Sequence, residues 1–156
     1  MVGKVGIHKK GEISLESILE EIRRNPSLEM AGAIACFVGI VRGYSPDGSR
    51  VEELQYEAYE EEAILAMDRI QSEICHREGI LDVHIHHIVD SLKVGEEILY
   101  VVVAGRSRGD VFPALSEVVE RLKGEVPIFK KEILSSGSSY WVSEVAYQGK
   151  SHQTKI

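Results

Sequence analysis

The sequence predicts an α+β domain, and three observations carry that prediction. Helical periodicity recurs three times, from Leu15, after Tyr59 and after Asp110. Between these stretches stand segments with the two-residue alternation of strands. Two of these segments, residues 81–89 and 97–104, are separated only by a short connection containing Gly95, as in a hairpin.

The elements follow in order. Residues 2–8 read as a short strand. A helix over 15–24 has Ser14 as its N-cap and Leu15, Ile18, Leu19 and Ile22 as its apolar stripe, and Asn25-Pro26 stops it. Residues 31–42 are apolar on both alternating faces, Ala33, Ala35 and Phe37 against Ile34, Cys36 and Val38, which predicts a central strand covered on both sides. Arg42 is its polar exit. Two glycines, a Ser-Pro-Asp-Gly turn and Tyr44 make 43–50 a loop able to fold over a ligand. A strand over 51–59 leads into a long helix with Ala63, Met67, Ile70 and Ile74 on its buried side. Glu60, Glu61 and Glu62 oppose the positive end of that helix dipole, and Gly79 ends the segment.

The last helix takes Asp110 as its N-cap, Pro113 in its first turn and Val111, Leu115, Val118 and Leu122 as its stripe. Final strands over 126–132 and 139–147 flank a Ser-Ser-Gly-Ser-Ser turn. With no internal repeat and no linker, residues 1–156 read as one domain, large enough for a sizeable core.

A net charge of -7 disfavours nucleic-acid and membrane-surface binding but leaves room for a local basic pocket. No apolar run reaches bilayer-spanning length and no secretory leader opens the chain, so the expected location is the cytoplasm. Cys36 and Cys75 have no metal-type spacing and read as reduced, buried thiols. His84 and His86 share one strand face and His87 follows, yet no ligand set completes a coordination pattern. Half-exposed strand histidines, no metal and no cofactor are expected.

Within this acidic chain, residues 123–132 reverse the charge, with Lys123, Lys130 and Lys131 around a Pro-anchored aliphatic segment. Lys123 lies four residues after Val119 and eight after Leu115, on the apolar side of its helix, so partial desolvation is expected. Burial would lower its pKa and the helix carboxyl end would raise it. Such a cluster is either a solvated lysine patch or a pocket for an anion. Arg106 and Arg108 precede a helix amino end and offer either a phosphate site or an ordinary polar turn.

Four segments occur together in order: Cys-Phe-Val-Gly-Ile-Val-Arg at 36–42, Arg-Ser-Arg-Gly-Asp-Val-Phe at 106–112, Lys-Gly-Glu-Val-Pro-Ile-Phe-Lys-Lys-Glu at 123–132, and Tyr-Trp-Val at 140–142. This set resembles the large, catalytic subunit of molybdopterin synthase over most of the chain, least before Ala31. The resemblance implies a hammerhead-type α+β fold with a mostly antiparallel sheet. It also implies a homodimer carrying one small ubiquitin-like sulfur-carrier subunit at each end, a heterotetramer in all. The implied reaction converts cyclic pyranopterin monophosphate into molybdopterin, sulfur arriving twice as the thiocarboxylate of the carrier's Gly-Gly terminus.

On that resemblance Lys123 and Lys130 are the catalytic pair. Phe37, Ile40, Val41, Arg42, Ser107, Arg108, Lys131 and Glu132 are the implied substrate contacts. Three positions depart from the pattern. Ser107 stands where many relatives place a histidine, and Val145 where some place an arginine, so that Arg106, Lys131 or a residue of the dimer mate would replace the missing cation. Third, strand alternation groups Lys131 with Phe129 and Ile133, whereas the motif singles out Lys130. Two other readings compete with the sulfurtransferase: a noncatalytic module binding a ubiquitin-like carrier, and a small anion-binding regulatory domain.

Overall fold

A computed structural model describes residues 3–142. Two four-stranded sheets organise them. The first runs β1 (Val5–His8), β4 (Ile80–Ile88), β6 (Glu97–Gly105), β2 (Ala33–Ile40), and the second β5 (Ser91–Lys93), β3 (Val51–Ala58), β7 (Ile128–Leu134), β8 (Ser139–Val142). Only β1 and β4 pair in parallel, and every other pairing is antiparallel. With α1 (Leu15–Arg23), α2 (Glu60–Cys75) and α3 (Arg108–Glu125), the chain is an α+β fold, as its periodicities predict.

The strand period divides the core in two. Val83 and Ile85 of β4 pack with Met67, Ile70 and Ile74 of α2 and Val118 of α3. On the other face, Val102 and Tyr100 of β6 pack with Ile18 and Ile22 of α1 and with Leu54 and Leu92 of the second sheet. The α1 stripe forms because Ser14 caps the helix, its hydroxyl accepting from the Ser17 N–H at 3.2 Å.

Several expectations are corrected. The strand over 31–42 is shorter, Ala33–Ile40, and β2 is an edge strand: Ile34, Cys36 and Ile40 are exposed, while Ala35 on the opposite face is buried. An apolar sequence on both faces reports hydrophobicity but not whether a neighbour covers it. Cys36 is therefore exposed and Cys75 half-buried, rather than both buried. The first helix is followed by a 3-10 turn, Pro26–Met30, in which Asn25 accepts from the Ser27 N–H at 2.9 Å. Ser107, not Asp110, caps α3, since its carbonyl already accepts from the Asp110 and Val111 N–H groups. Pro113 consequently lies inside the helix. The hairpin itself forms, β4 pairing antiparallel with β6, but three residues of its connection make β5, which joins the second sheet beside β3. Expected positions 2 and 143–147 lie outside the described residues.

Of the three strand histidines only His87 is half-exposed. His84 and His86 are each 1% exposed, in a polar row with Asp82 beneath the N-terminal segment. Lys4 Nζ donates to Asp82 at 2.5 Å and Asn25 Nδ2 at 3.1 Å, and His84 Nε2 stands 3.4 Å from the same carboxylate. These partners outweigh burial and hold Asp82 below the usual carboxylate range.

His86, 2.9 Å from His8, is pushed down to about 3 by burial and then by the neighbouring imidazoles. Its folded pKa lies below the unfolded value of 6.5, so its contribution is present above 6.5 and lost as pH falls towards 3. Denaturant titrations should show stability flat above about pH 7 and falling below it, by up to ~1.4 kcal/mol per pH unit for this one group. Stability independent of pH between 6.5 and 4 would contradict the buried neutral pair.

Candidate active site

The carboxyl end of α3 meets the ends of β2 and β7 at the junction of the two sheets, and a cleft opens there in two compartments. The narrower, about 210 Å³, is lined by Phe37, Tyr56, His87, Leu122, Lys123 and Lys130 among others. The wider, about 580 Å³, adds Ile40, Arg42, Tyr44 and Glu132. Phe37, Gly39, Ile98, Lys123 and Lys130 line both, so the compartments are continuous.

Local sequence explains each placement. Lys123 follows Leu122, the last buried residue of the α3 stripe, and its side chain is exposed rather than partly desolvated. The chain then turns through Val126 and Pro127 into β7, where alternation sends Lys130 into the cleft and Lys131 to the opposite face, its Nζ 5.7 Å from the centre of the Trp141 ring. Lysines separated by seven residues thus converge, while adjacent ones diverge. Phe37 walls the cleft from β2; after the register shift between Gly39 and Ile40, Ile40 and Arg42 reach the wider compartment. Val41 turns inward instead and is 1% exposed.

Glu132 sits at the floor, buried, and accepts a short hydrogen bond from the Tyr140 hydroxyl. Burial and that carboxylate push the Tyr140 phenol up to about 12, so it retains its proton. The loop beyond Arg42 is tied down: Tyr44 bridges to Arg50, whose Nη1 donates to the Tyr44 hydroxyl at 3.1 Å, and Asp47 accepts from Ser45 and from the Ser49 N–H. Those hydrogen bonds bring Asp47 down to about 2.

Ser107 and Arg108 are elsewhere. They are exposed at the amino end of α3, and fifteen residues of helix separate Arg108 from Lys123, roughly 22 Å at the α-helical rise. Within one chain they do not join the cleft. Val145 lies outside the described residues.

Sequence reasoning missed Tyr56, His87 and Tyr140. His87 is the clearest omission: half-buried, it lines the narrow compartment, with its ring edge-on to Tyr56 at 5.2 Å and its Nδ1 2.8 Å from the Ile88 carbonyl. A carbonyl only accepts, so Nδ1 carries the proton and Nε2 the lone pair. Its signal was the alternation itself, because His87 points away from His84 and His86, on the cleft side of β4. Among the described residues no cluster of three or more His, Cys, Asp or Glu side chains forms a metal-binding group. No described helix is long and apolar enough to cross a membrane.

A family model for the MoaE protein matches residues 8–125. A probable molybdopterin synthase of Haloferax volcanii is 38% identical over 133 residues, 85% of this chain and 51% of the relative, so the chain spans about half the length of that protein. The molybdopterin synthase catalytic subunit of Pyrococcus abyssi is 37% identical over 139 residues, covering 89% of this chain and 90% of the relative. The crystal structure of molybdopterin synthase from Staphylococcus aureus superimposes with a TM-score of 0.79 at 30% identity, over 90% of this chain and 98% of that one. With the matched segment including β2, β4, β6 and α3, the chain belongs to the MoaE family.

Proposed function

We propose that this chain is the catalytic subunit of a molybdopterin synthase, a sulfurtransferase of molybdenum cofactor biosynthesis. In this reading it takes sulfur from the C-terminal thiocarboxylate of a small ubiquitin-like carrier and delivers it to cyclic pyranopterin monophosphate, twice, to form the dithiolene of molybdopterin. The observation that carries the reading is the convergence of Lys123 and Lys130, with Phe37 and Arg42, on one continuous cleft.

The chemistry asks for such a cleft. A thiocarboxylate and a phosphate are both anions, and at about 4 Å two like charges repel by roughly 4 kcal/mol at an effective dielectric near 20. Two lysines facing both compartments offset that repulsion where the reacting atoms meet. A glycine tail has no side chains and suits the narrow compartment. The pterin suits the wider one, where the Phe37 ring offers a face and the Arg42 guanidinium a fork for phosphate oxygens. Glu132, tethered by Tyr140, shapes the floor on which Lys130 stands.

Arg108 enters this reading through a second copy of the chain. A homodimer whose mate presents the amino end of its α3 to the cleft would bring Arg108, with Arg106 and Ser107 beside it, to the substrate phosphate. One carrier per protomer then makes a heterotetramer. The deciding assay combines the protein with a thiocarboxylated Gly-Gly carrier and cyclic pyranopterin monophosphate and follows the dithiolene product. Turnover is expected; carrier binding without product selects the noncatalytic module, and neither binding nor turnover rejects the reading.

A further inference from the structure

We propose that His87 is the base of the cleft, its Nε2 taking the proton of the water that releases the carrier from the sulfur it has delivered. The inference rests on the sulfur-transfer reading and adds to it a residue and a step. When a thiocarboxylate sulfur bonds to the substrate, the carrier's terminal acyl group stays attached to that sulfur as a thioester. Release requires water at the acyl carbon: a C–O bond forms, the C–S bond breaks, and the carrier leaves as its carboxylic acid. The sulfur stays on the pterin as a thiol. The proton taken from water passes to the departing sulfur, and no oxidant or reductant is consumed.

Among the cleft residues described, the lysines supply positive charge and Glu132 is occupied by Tyr140. His87 alone combines an imidazole with a fixed lone pair, because the Ile88 carbonyl at 2.8 Å commits Nδ1 to donation. It lines the narrow compartment with Lys123 and Lys130, where the glycine tail is proposed to lie. Tyr56 of β3, Lys130 of β7 and Lys123 of α3 are the titratable groups around it. Burial first and the Lys130 charge after it push the imidazole down to about 4, although its bond to Ile88 opposes them. Incoming thiocarboxylate and phosphate offset the Lys130 charge and raise it towards the range in which a base works near neutral pH.

The test is single turnover with the complete system. His87→Asn retains an amide donor for the Ile88 carbonyl and removes the base; it should slow product release by roughly 10²–10⁴-fold and accumulate a carrier–pterin adduct visible by intact mass. His87→Gln should do the same. Wild-type rates without adduct in either folded variant, while the wild type makes product, overturn this inference alone. Absence of product from the wild type overturns the sulfur-transfer reading as well. Should both variants fail to fold, nitrogen-15 NMR of the wild type decides: protonated Nδ1 with a bare Nε2 supports the assignment, and the opposite tautomer overturns it.

Discussion

Lys123→Ala is expected to lower dithiolene formation by roughly 10²–10⁴-fold while leaving the protein folded. The lysine is exposed at the end of α3 and takes part in no salt bridge among the described residues, so truncation should cost within about 0.5 kcal/mol of stability. The loss would come from the cleft, where Lys123 faces both compartments and offsets the charge of two anions being brought together. Rate and melting temperature measured on the same preparation check both halves. A folded variant with normal turnover would remove Lys123 from the chemistry and leave Lys130 as the cation that matters.

Arg108→Ala should also abolish most activity, and the two inactive variants should rescue each other. Because roughly 22 Å of helix lies between Lys123 and Arg108, the proposed site takes one from each protomer. In a statistical mixture, half of the dimers are mixed and each of these holds one intact site, so co-refolded Lys123→Ala and Arg108→Ala chains should recover about a quarter of wild-type turnover. Lysine 131 serves as a contrast: stacked over Trp141 on the opposite face, it should tolerate alanine with little loss. Mixed dimers as inactive as either parent would mean that Arg108 does not reach across.

Much of the architecture is visible in the chain because it depends on local rules. The Ser14 cap follows from its hydroxyl, and the Ile18 and Ile22 stripe, the fully buried Ala63, Met67, Ile70 and Ile74 of α2, and the Val111–Leu122 stripe of α3 follow from a period of 3.6. Errors cluster where a neighbour decides. Nothing in Ile34, Cys36 and Ile40 says that β2 will lie at an edge, and nothing in His84 and His86 says that Asp82, Lys4 and an N-terminal layer will enclose them. The cap of α3 moved from Asp110 to Ser107 because helix entry depends on the carbonyl that accepts first, which residue preference ranks only approximately.

Residues 123–132 show the same division. By itself the sequence determined that a basic segment stands in an acidic protein, and it was the family resemblance, not the alternation that groups Lys131 with Phe129, that singled out Lys130. Only the tertiary structure decided that Lys123 and Lys130 share a cleft, that Lys131 turns to Trp141, that Arg108 stands at the far end of α3, and that His87 joins the lysines. The physical reason is that periodicity fixes which way a side chain points from its own element. A site, however, is set by how elements separated in sequence pack against one another.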